Sequence, residues 1–229
     1  MTTGSQEFDQ YARDYKSLLD HSIKMSGDSA EYFCEYKARY IARTIGPTFS
    51  GKILDFGCGI GLLSARLKNH LPAAIIHGYD PSSESIRLLP QDLAAAGRFS
   101  SQLENLDGDY QLAILSNVMH HVAKQQRERT ILDITAHLAP GGKLILFEHN
   151  PLNPLTRWAV QHCAFDEGVV LLPPAEVFSY FTRAHLAVRK RDYIVFFPKM
   201  LSALRALEPW FSWLPAGAQY AVVGEKHAG

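Results

Sequence analysis

The period of apolar positions changes along this chain, and that change divides it into elements. In the first 45 residues, apolar side chains return at steps of three and four, the spacing of an amphipathic helix. Phe8, Tyr11, Tyr15, Leu18 and Leu19 mark one such helix. "SGDS" at 26–29 interrupts it and offers an N-cap, with Glu31 in the first turn that follows. Tyr32, Phe33, Tyr36, Tyr40 and Ile41 then continue along one face of a second helix, and "GPTFSG" at 46–51 ends it.

Beyond residue 51 short apolar runs alternate with helical periods. "KILDF" (52–56), "AIIHGYD" (74–80), "YQLAILSNV" (110–118) and "KLILFEHN" (143–150) read as strands, with a weaker one near "RFSSQL" (98–103). Between them, residues 62–71, 82–97 and 123–138 carry helical spacing; Pro90 interrupts the second, and "APGG" (139–142) stops the third. Such alternation predicts stacked βαβ units and a doubly wound parallel sheet covered on both faces. The end of the chain differs. A helix near 174–184 is followed by two further strands, "AVRKRDYIVFFP" and "AQYAVVGEK". The intervening segment 196–215 starts helical and ends rich in aromatic residues. It reads as packing against those strands, the alternatives being a cap on a substrate, a subunit contact or a membrane-surface contact.

Composition narrows the partners. Lysine plus arginine and aspartate plus glutamate both number 23, so formal net charge is zero, and no basic run marks a nucleic-acid binder. Cys34, Cys58 and Cys163 are far apart and lack zinc-ligand spacing, which predicts free buried or half-buried thiols and no metal site. No apolar run approaches the ~20 residues of a membrane span. A polar N-terminus without a signal-peptide core adds the expectation of a cytoplasmic location.

The chemistry concentrates where strands end. "ILDFGCGIGLL" (53–63) spaces Gly57, Gly59 and Gly61 as G-x-G-x-G, not as the G-x-G-x-x-G of dinucleotide binders. Asp55 just before it suits a cationic amino group better than a pyrophosphate. Asp80 ends the second strand, where a carboxylate either accepts from ribose hydroxyls or caps the helix that follows. Four stretches in order, "ILDFGCGIG", "HGYDPS", "YQLAILSNVMHHV" and "HLAPGGKLILFEHN", resemble the motifs of class I S-adenosylmethionine-dependent methyltransferases, small-molecule type.

That resemblance implies a seven-stranded, mostly parallel Rossmann-like sheet with an antiparallel C-terminal hairpin and an N-terminal helical lid. The lid is expected over 1–46 and the cofactor-binding domain over 47–229, one domain overall. S-adenosylmethionine would be held by Asp55, Gly57, Cys58, Gly59, Gly61, Asp80, Pro81, Gln102 and Asn117, with Tyr11 and Tyr15 closing from the lid. Gln102 and Gln111 stand where family members often carry acids, and Glu104 or Asn105 are alternatives to Gln102 beside the adenine.

Methyl transfer is an in-line displacement, so the protein must align the acceptor, exclude water and, for an oxygen acceptor, take a proton. His120, His121 and His149 are the candidate bases, each with a structural role as its rival reading. The polar, proline-pinned loop "FEHNPLNPLTRW" (147–158) reads as substrate-facing through Glu148, Asn150, Asn153 and Arg157, joined by His162, Asp166 and Glu167. The alternative is an elaborate turn with Arg157 paired to Glu148 or Asp166. Lys37 and Arg39 read as solvated surface charge. The expected partner is a small-molecule acceptor, most readily an oxygen, with no nucleic acid; a homodimer stays open. A protein or RNA methyltransferase and a non-catalytic cofactor-binding scaffold are the rivals.

Overall fold

The computed structural model of the chain describes residues 28–163 and 168–228. Helix α1 (Ala30–Ile45) leads into β1 (Lys52–Phe56), α2 (Leu62–His70) and β2 (Ile75–Tyr79). Two short helices, α3 (Ser83–Arg87) and α4 (Gln91–Ala96), flank Pro90 where the interruption was expected. Then come β3 (Phe99–Ser100), β4 (Tyr110–Ser116), α5 (Lys124–His137), β5 (Leu138–His149), α6 (Pro154–Gln161), α7 (Pro174–Arg183), β6 (Leu186–Ile194) and β7 (Gln219–Lys226).

The strands form one seven-stranded sheet in the order β3-β2-β1-β4-β5-β7-β6. β1 to β5 pair in parallel, and β7 inserts antiparallel between β5 and β6. Because β2, β1 and β4 lie between neighbours, their carboxyl ends meet at one edge of the sheet. Alternate residues of the apolar strands feed two cores. Leu54, Leu115 and Leu146 pack with Ile131 and Ile134 of α5 and Val177 and Phe181 of α7. Ile53, Ile114 and Ile145 pack on the other face with Leu63 and Leu67 of α2. This two-sided burial explains strands that are apolar throughout rather than alternating.

The structure changes three of the expected elements. β5 begins at Leu138, which pairs with Tyr110; "APGG" then loops out, with Gly141 at φ 73°, before Lys143 rejoins opposite Leu112. Segment Lys199–Phe211 is a 3-10 helix. It packs on the end of β6 only in part: Leu207 and Phe211 are half-buried, Phe211 against Phe196 and Phe197, while Met200, Leu201, Leu204 and Trp210 face outward, as does Trp213 just beyond it. α1 is more than a lid, because Ala38, Tyr40, Ile41 and Ala42 belong to the same core as β1 and α2. The expected helix around Tyr11 and Tyr15 lies outside the described residues. The three cysteines are free thiols, Cys58 and Cys163 buried and Cys34 half-buried. Among the described residues, no helix is long and apolar enough to cross a membrane.

A buried arginine fastens the segment before α7 to the sheet. Arg127 of α5 donates to the carbonyls of Val122 (3.0 Å) and Val170 (2.9 Å) and to Glu176 of α7 (3.1 Å). Removing it takes a donor from two carbonyls and leaves Glu176 with the Tyr180 hydroxyl alone of these two donors. Arg127→Met is therefore expected to lower unfolding free energy by about 2–4 kcal/mol, read as a lower denaturation midpoint with an unchanged m-value.

Candidate active site

The glycine loop joins β1 to α2 at the carboxyl end of the sheet. Gly57, Gly59 and Gly61 all take positive φ, 78°, 52° and 81°, which strains any side-chain-bearing residue. A Cβ on Gly57 would meet Val118 at 2.4 Å, so the loop packs its backbone against the end of β4. Asp80, at the end of β2, holds the loop in place. Its Oδ2 accepts from Gly59 N–H at 2.7 Å and its Oδ1 from Ser82 N–H at 3.0 Å. Asp80 is thus a loop clasp and takes part in the turn entering α3, where Ser82 caps by accepting from Ser85 N–H.

Asp55 is buried, and its Oδ2 accepts from Ser64 Oγ at 2.6 Å. Burial pushes its carboxyl up to about 6, against the pull of the Ser64 bond. The Asp80 charge adds to the rise and the Lys37 charge opposes it. Cys58 is buried beside the loop, and burial pushes its thiol well up. Gln102 is exposed just beyond β3 and accepts from Asn105 Nδ2 at 3.1 Å; Pro81 is exposed on the turn after β2. Asn117 follows β4 at φ 56°, a left-handed conformation asparagine tolerates.

Histidines gather at the ends of β4 and β5. Glu148 has no exposed surface, and its oxygens accept from Met119 N–H (2.7 Å), His120 N–H (3.3 Å), His149 N–H (3.3 Å) and His120 Nδ1 (2.7 Å). Burial pushes its carboxyl up, but the charge and hydrogen bond of His120, with His149 and His121, hold it down at about 2. The His120 ring lies 4.2 Å from that of His121 and 5.1 Å from that of His149, centroid to centroid. All three candidate bases therefore share one cluster.

A glycine loop clasped by a strand-end acid, at the carboxyl edge of a 3-2-1-4-5-7-6 sheet, agrees with the comparison against protein families. The family described as "Methyltransferase domain" matches residues 26–193. The chain belongs to this family. Among curated relatives, the ribosomal RNA small subunit methyltransferase C of Pseudomonas aeruginosa strain LESB58 is 36% identical over 104 residues. That match covers 42% of this chain and 31% of the relative, so the chain spans about a third of that protein's length. Among solved structures, the magnesium protoporphyrin IX methyltransferase of Synechocystis PCC 6803, with bound S-adenosylhomocysteine, aligns at TM-score 0.63 and 14% identity. It covers 90% of this chain and 86% of that one. A SAM-dependent methyltransferase from Archaeoglobus fulgidus aligns at 0.63 and 14% identity, covering 84% and 94%. At these identities the likeness speaks to the fold.

The chain thus carries a methyltransferase domain with the fold of these neighbours, and the resemblance of its motifs to class I enzymes implies S-adenosylmethionine as the cofactor. The residues present fit the cofactor: a glycine loop whose backbone turns through positive φ, an acid at the end of β2 beside it, and a buried carboxylate that a nearby cation would relieve. Among the described residues, no group of three or more His, Cys, Asp or Glu is arranged to hold a metal.

The polar loop after β5 departs from its expected role. Glu148 does not face an open pocket; its oxygens are taken up by the chain's own donors. Asn150 is fully buried, donating to the carbonyls of Gly217 (2.8 Å) and Pro215 (3.2 Å) and accepting from Leu152 N–H. Asn153 caps α6 through Thr156 N–H and donates to Ala216 at 2.7 Å. Arg157 is exposed and does not pair with the buried Glu148. His162 is also exposed, its ring stacked 4.3 Å from that of Trp158. The asparagines clamp β5 and α6 to the 212–218 turn, which accounts for the polar density without a substrate. Asp166 and Glu167 lie outside the described residues.

Two other side chains were missed or misplaced by sequence reasoning. Lys37 of α1 is buried, not solvated, and donates to Ser116 Oγ at 2.9 Å and to Asn117 Oδ1. Burial lowers its ammonium to about 8, against the pull of Cys34, Glu148 and Asp55. Arg39, two positions on, is exposed as expected. Gln219 opens β7 opposite His149, and its Oε1 is buried with no hydrogen-bond partner among the described residues. A lysine inside an otherwise amphipathic face was the available signal for the first; nothing local marked the second.

The raised Asp55 value has a stability consequence. The folded state holds this proton up to about 6 where an ordinary carboxyl releases it near 3.8, so stability falls as pH rises between them. Asp55→Asn should therefore be more stable than wild type at pH 7.5, by about 1–3 kcal/mol. The gap should close toward pH 4, as denaturation midpoints at the two pH values will show.

Proposed function

We propose that this enzyme methylates an oxygen of a small-molecule acceptor, using the histidine cluster to remove the proton. The observation that carries this is the His120–Glu148 pair at the ends of β4 and β5. A buried, ionised carboxylate accepting from Nδ1 fixes the tautomer in which Nε2 takes a proton, and it stabilises the imidazolium formed. His121 and His149 flank that ring as the acceptor-facing members.

S-adenosylmethionine supplies, when bound, a methyl group already activated on its sulfonium. The chain's residues do the rest. The backbone of Gly57, Cys58, Gly59 and Gly61 receives the methionine and ribose portions at close range. Asp80 accepts from the ribose hydroxyls, with Pro81 shaping the turn behind it. Gln102 meets the adenine edge. Asp55, Asn117 and Lys37 set the charge around the amino-acid end. The exclusion of water falls to the residues before α1, the candidates being Tyr11 and Tyr15. Zero net charge and the absence of a basic run support a small-molecule acceptor over a polyanion.

An RNA acceptor is the second reading, favoured by the partial match to ribosomal RNA methyltransferases. Labelled methyl donor offered with hydroxyl-bearing small molecules, amines and small-subunit ribosomal RNA separates the two. Label entering RNA and no small molecule would overturn the proposal. Within it, Glu148→Gln keeps an acceptor for the backbone N–H groups but loses the carboxylate toward Nδ1. The expected result is kcat lower by about 10²-fold or more, with a shifted pH profile and an unchanged Kd for S-adenosylhomocysteine.

A further inference from the structure

The 3-10 helix Lys199–Phe211 is turned inside out for a helix that meets only water. Side chains three apart eclipse in such a helix, so every third residue joins one row. Arg205, Glu208 and Phe211 form the row that faces the body of the chain. Arg205 pairs there with Asp28 at 2.6 Å and donates to the Phe197 carbonyl. Glu208 is buried and accepts from the N–H groups of Phe196 and Phe197. The neighbouring row, Leu204, Leu207 and Trp210, is apolar, and Trp213 continues its step just past the helix. Only Leu207 in it is half-buried. Trp210 is 75% exposed, Trp213 70% and Met200 95%. An ordinary surface helix keeps its charges outward and its apolar row inward. This one does the opposite.

The same face continues onto α6. Asn153 donates to the Ala216 carbonyl and Thr156 to that of Ala218, which seats the start of α6 against the turn after Trp213. Leu152, Leu155 and Trp158 are exposed on α6 and the turn before it. All three tryptophans of the chain therefore stand exposed on two adjoining segments. Single exposed apolar residues are ordinary; this concentration marks a contact surface.

Charge indicates what covers it. Within 150–163 and 196–218 the one acid is Glu208, which faces inward. The exposed charges on these segments are positive, Arg157 on α6 and Lys199 at the start of the 3-10 helix. Arg43 of α1 adds another, exposed on the wall of a cavity that Pro209 and Ser212 also line. An apolar, tryptophan-bearing face rimmed by cations complements an anionic lipid surface. The leucines and tryptophans enter the headgroup boundary, and the cations meet the lipid phosphates. A second copy of the chain fits less well, because a two-fold contact through this face would bring like charges together.

We propose that this face docks the protein reversibly, without crossing the bilayer, on a membrane surface containing anionic phospholipid. A short turn alone separates α6 from His149 at the end of β5, so docking sets the carboxyl edge of the sheet beside the lipid. The proposal does not depend on which acceptor is methylated.

The test offers the full chain vesicles of phosphatidylcholine alone and of equal parts phosphatidylcholine and phosphatidylserine. Flotation measures binding, and acyl-brominated lipid quenches tryptophan fluorescence, which arises on this face alone. Wild type should bind the mixed vesicles at least about tenfold more tightly than the neutral ones, with quenching, and high salt should remove that difference. The double variant Trp210→Ser, Trp213→Ser should bind the mixed vesicles about tenfold or more less tightly. It should keep the wild-type Kd for S-adenosylhomocysteine, which separates loss of docking from damage to the cofactor site. Arg157→Gln with Lys199→Gln should cut the preference for the mixed vesicles about fivefold or more. No binding to the mixed vesicles, or binding that the folded tryptophan variant leaves undiminished, overturns the proposal. So does a dimer in light scattering that the tryptophan variant dissociates while vesicles stay unbound, an outcome that gives the face to a second copy. Should the tryptophan variant fail to fold, quenching of wild type and the arginine–lysine variant decide it.

Discussion

A carboxylate with no access to water must find its donors within the chain, and Glu148 finds them across two strand ends. Its oxygens take the N–H groups of Met119, His120 and His149 and the His120 ring. Those bonds fix the turn after β4 against the end of β5. Tyr220, opposite Glu148 on β7, donates its hydroxyl to the Leu172 carbonyl, while burial, with the Glu148 charge, raises its phenol far above the usual range. A single desolvated charge thereby couples the ends of β4 and β5. The same bonds present His121 and His149 on either side of His120. The arrangement is stable because the charge is fully hydrogen-bonded; removing one partner would expose the cost of burying it.

On the other face, α1 joins apolar packing to a buried charge. Ile41 and Ala38 fill the core beneath β1 and α2, while Lys37 reaches Ser116 and Asn117 at the end of β4. Its ammonium also stands 5.6 Å from the Phe147 ring centroid. Burial weakens the charge of Lys37 and of Asp55 alike, and each partly offsets the other. A site poised in this way is sensitive to a bound zwitterion, because added charge of either sign alters both groups.

The loop after β5 shows how polar density misleads. Asparagines and prolines at 150–154 have the composition of a binding loop. They are also what a sharp exit from a central strand requires, because the backbone carbonyls at 215–218 need donors where the sheet stops. Asn150 and Asn153 supply them. Sequence spacing cannot separate these roles, since the carbonyls served lie more than 60 residues away.

Local chemistry determined much of the molecule. Two-sided apolar runs fixed which segments are strands, Pro90 split its helix, and the left-handed turns after Phe56 needed Gly57, Gly59 and Gly61. The glycine loop and the turn from Asp80 into α3 were legible because each depends on neighbours a few positions away. Tertiary structure alone decided what depends on desolvation and on distant partners. It buried Lys37 instead of leaving it in solvent, turned Glu148 inward and gave Asn150 to the 215–217 carbonyls. In each case the residue's type was visible in the chain, but the dielectric around it and the group opposite were set by how the sheet brings its far segments together.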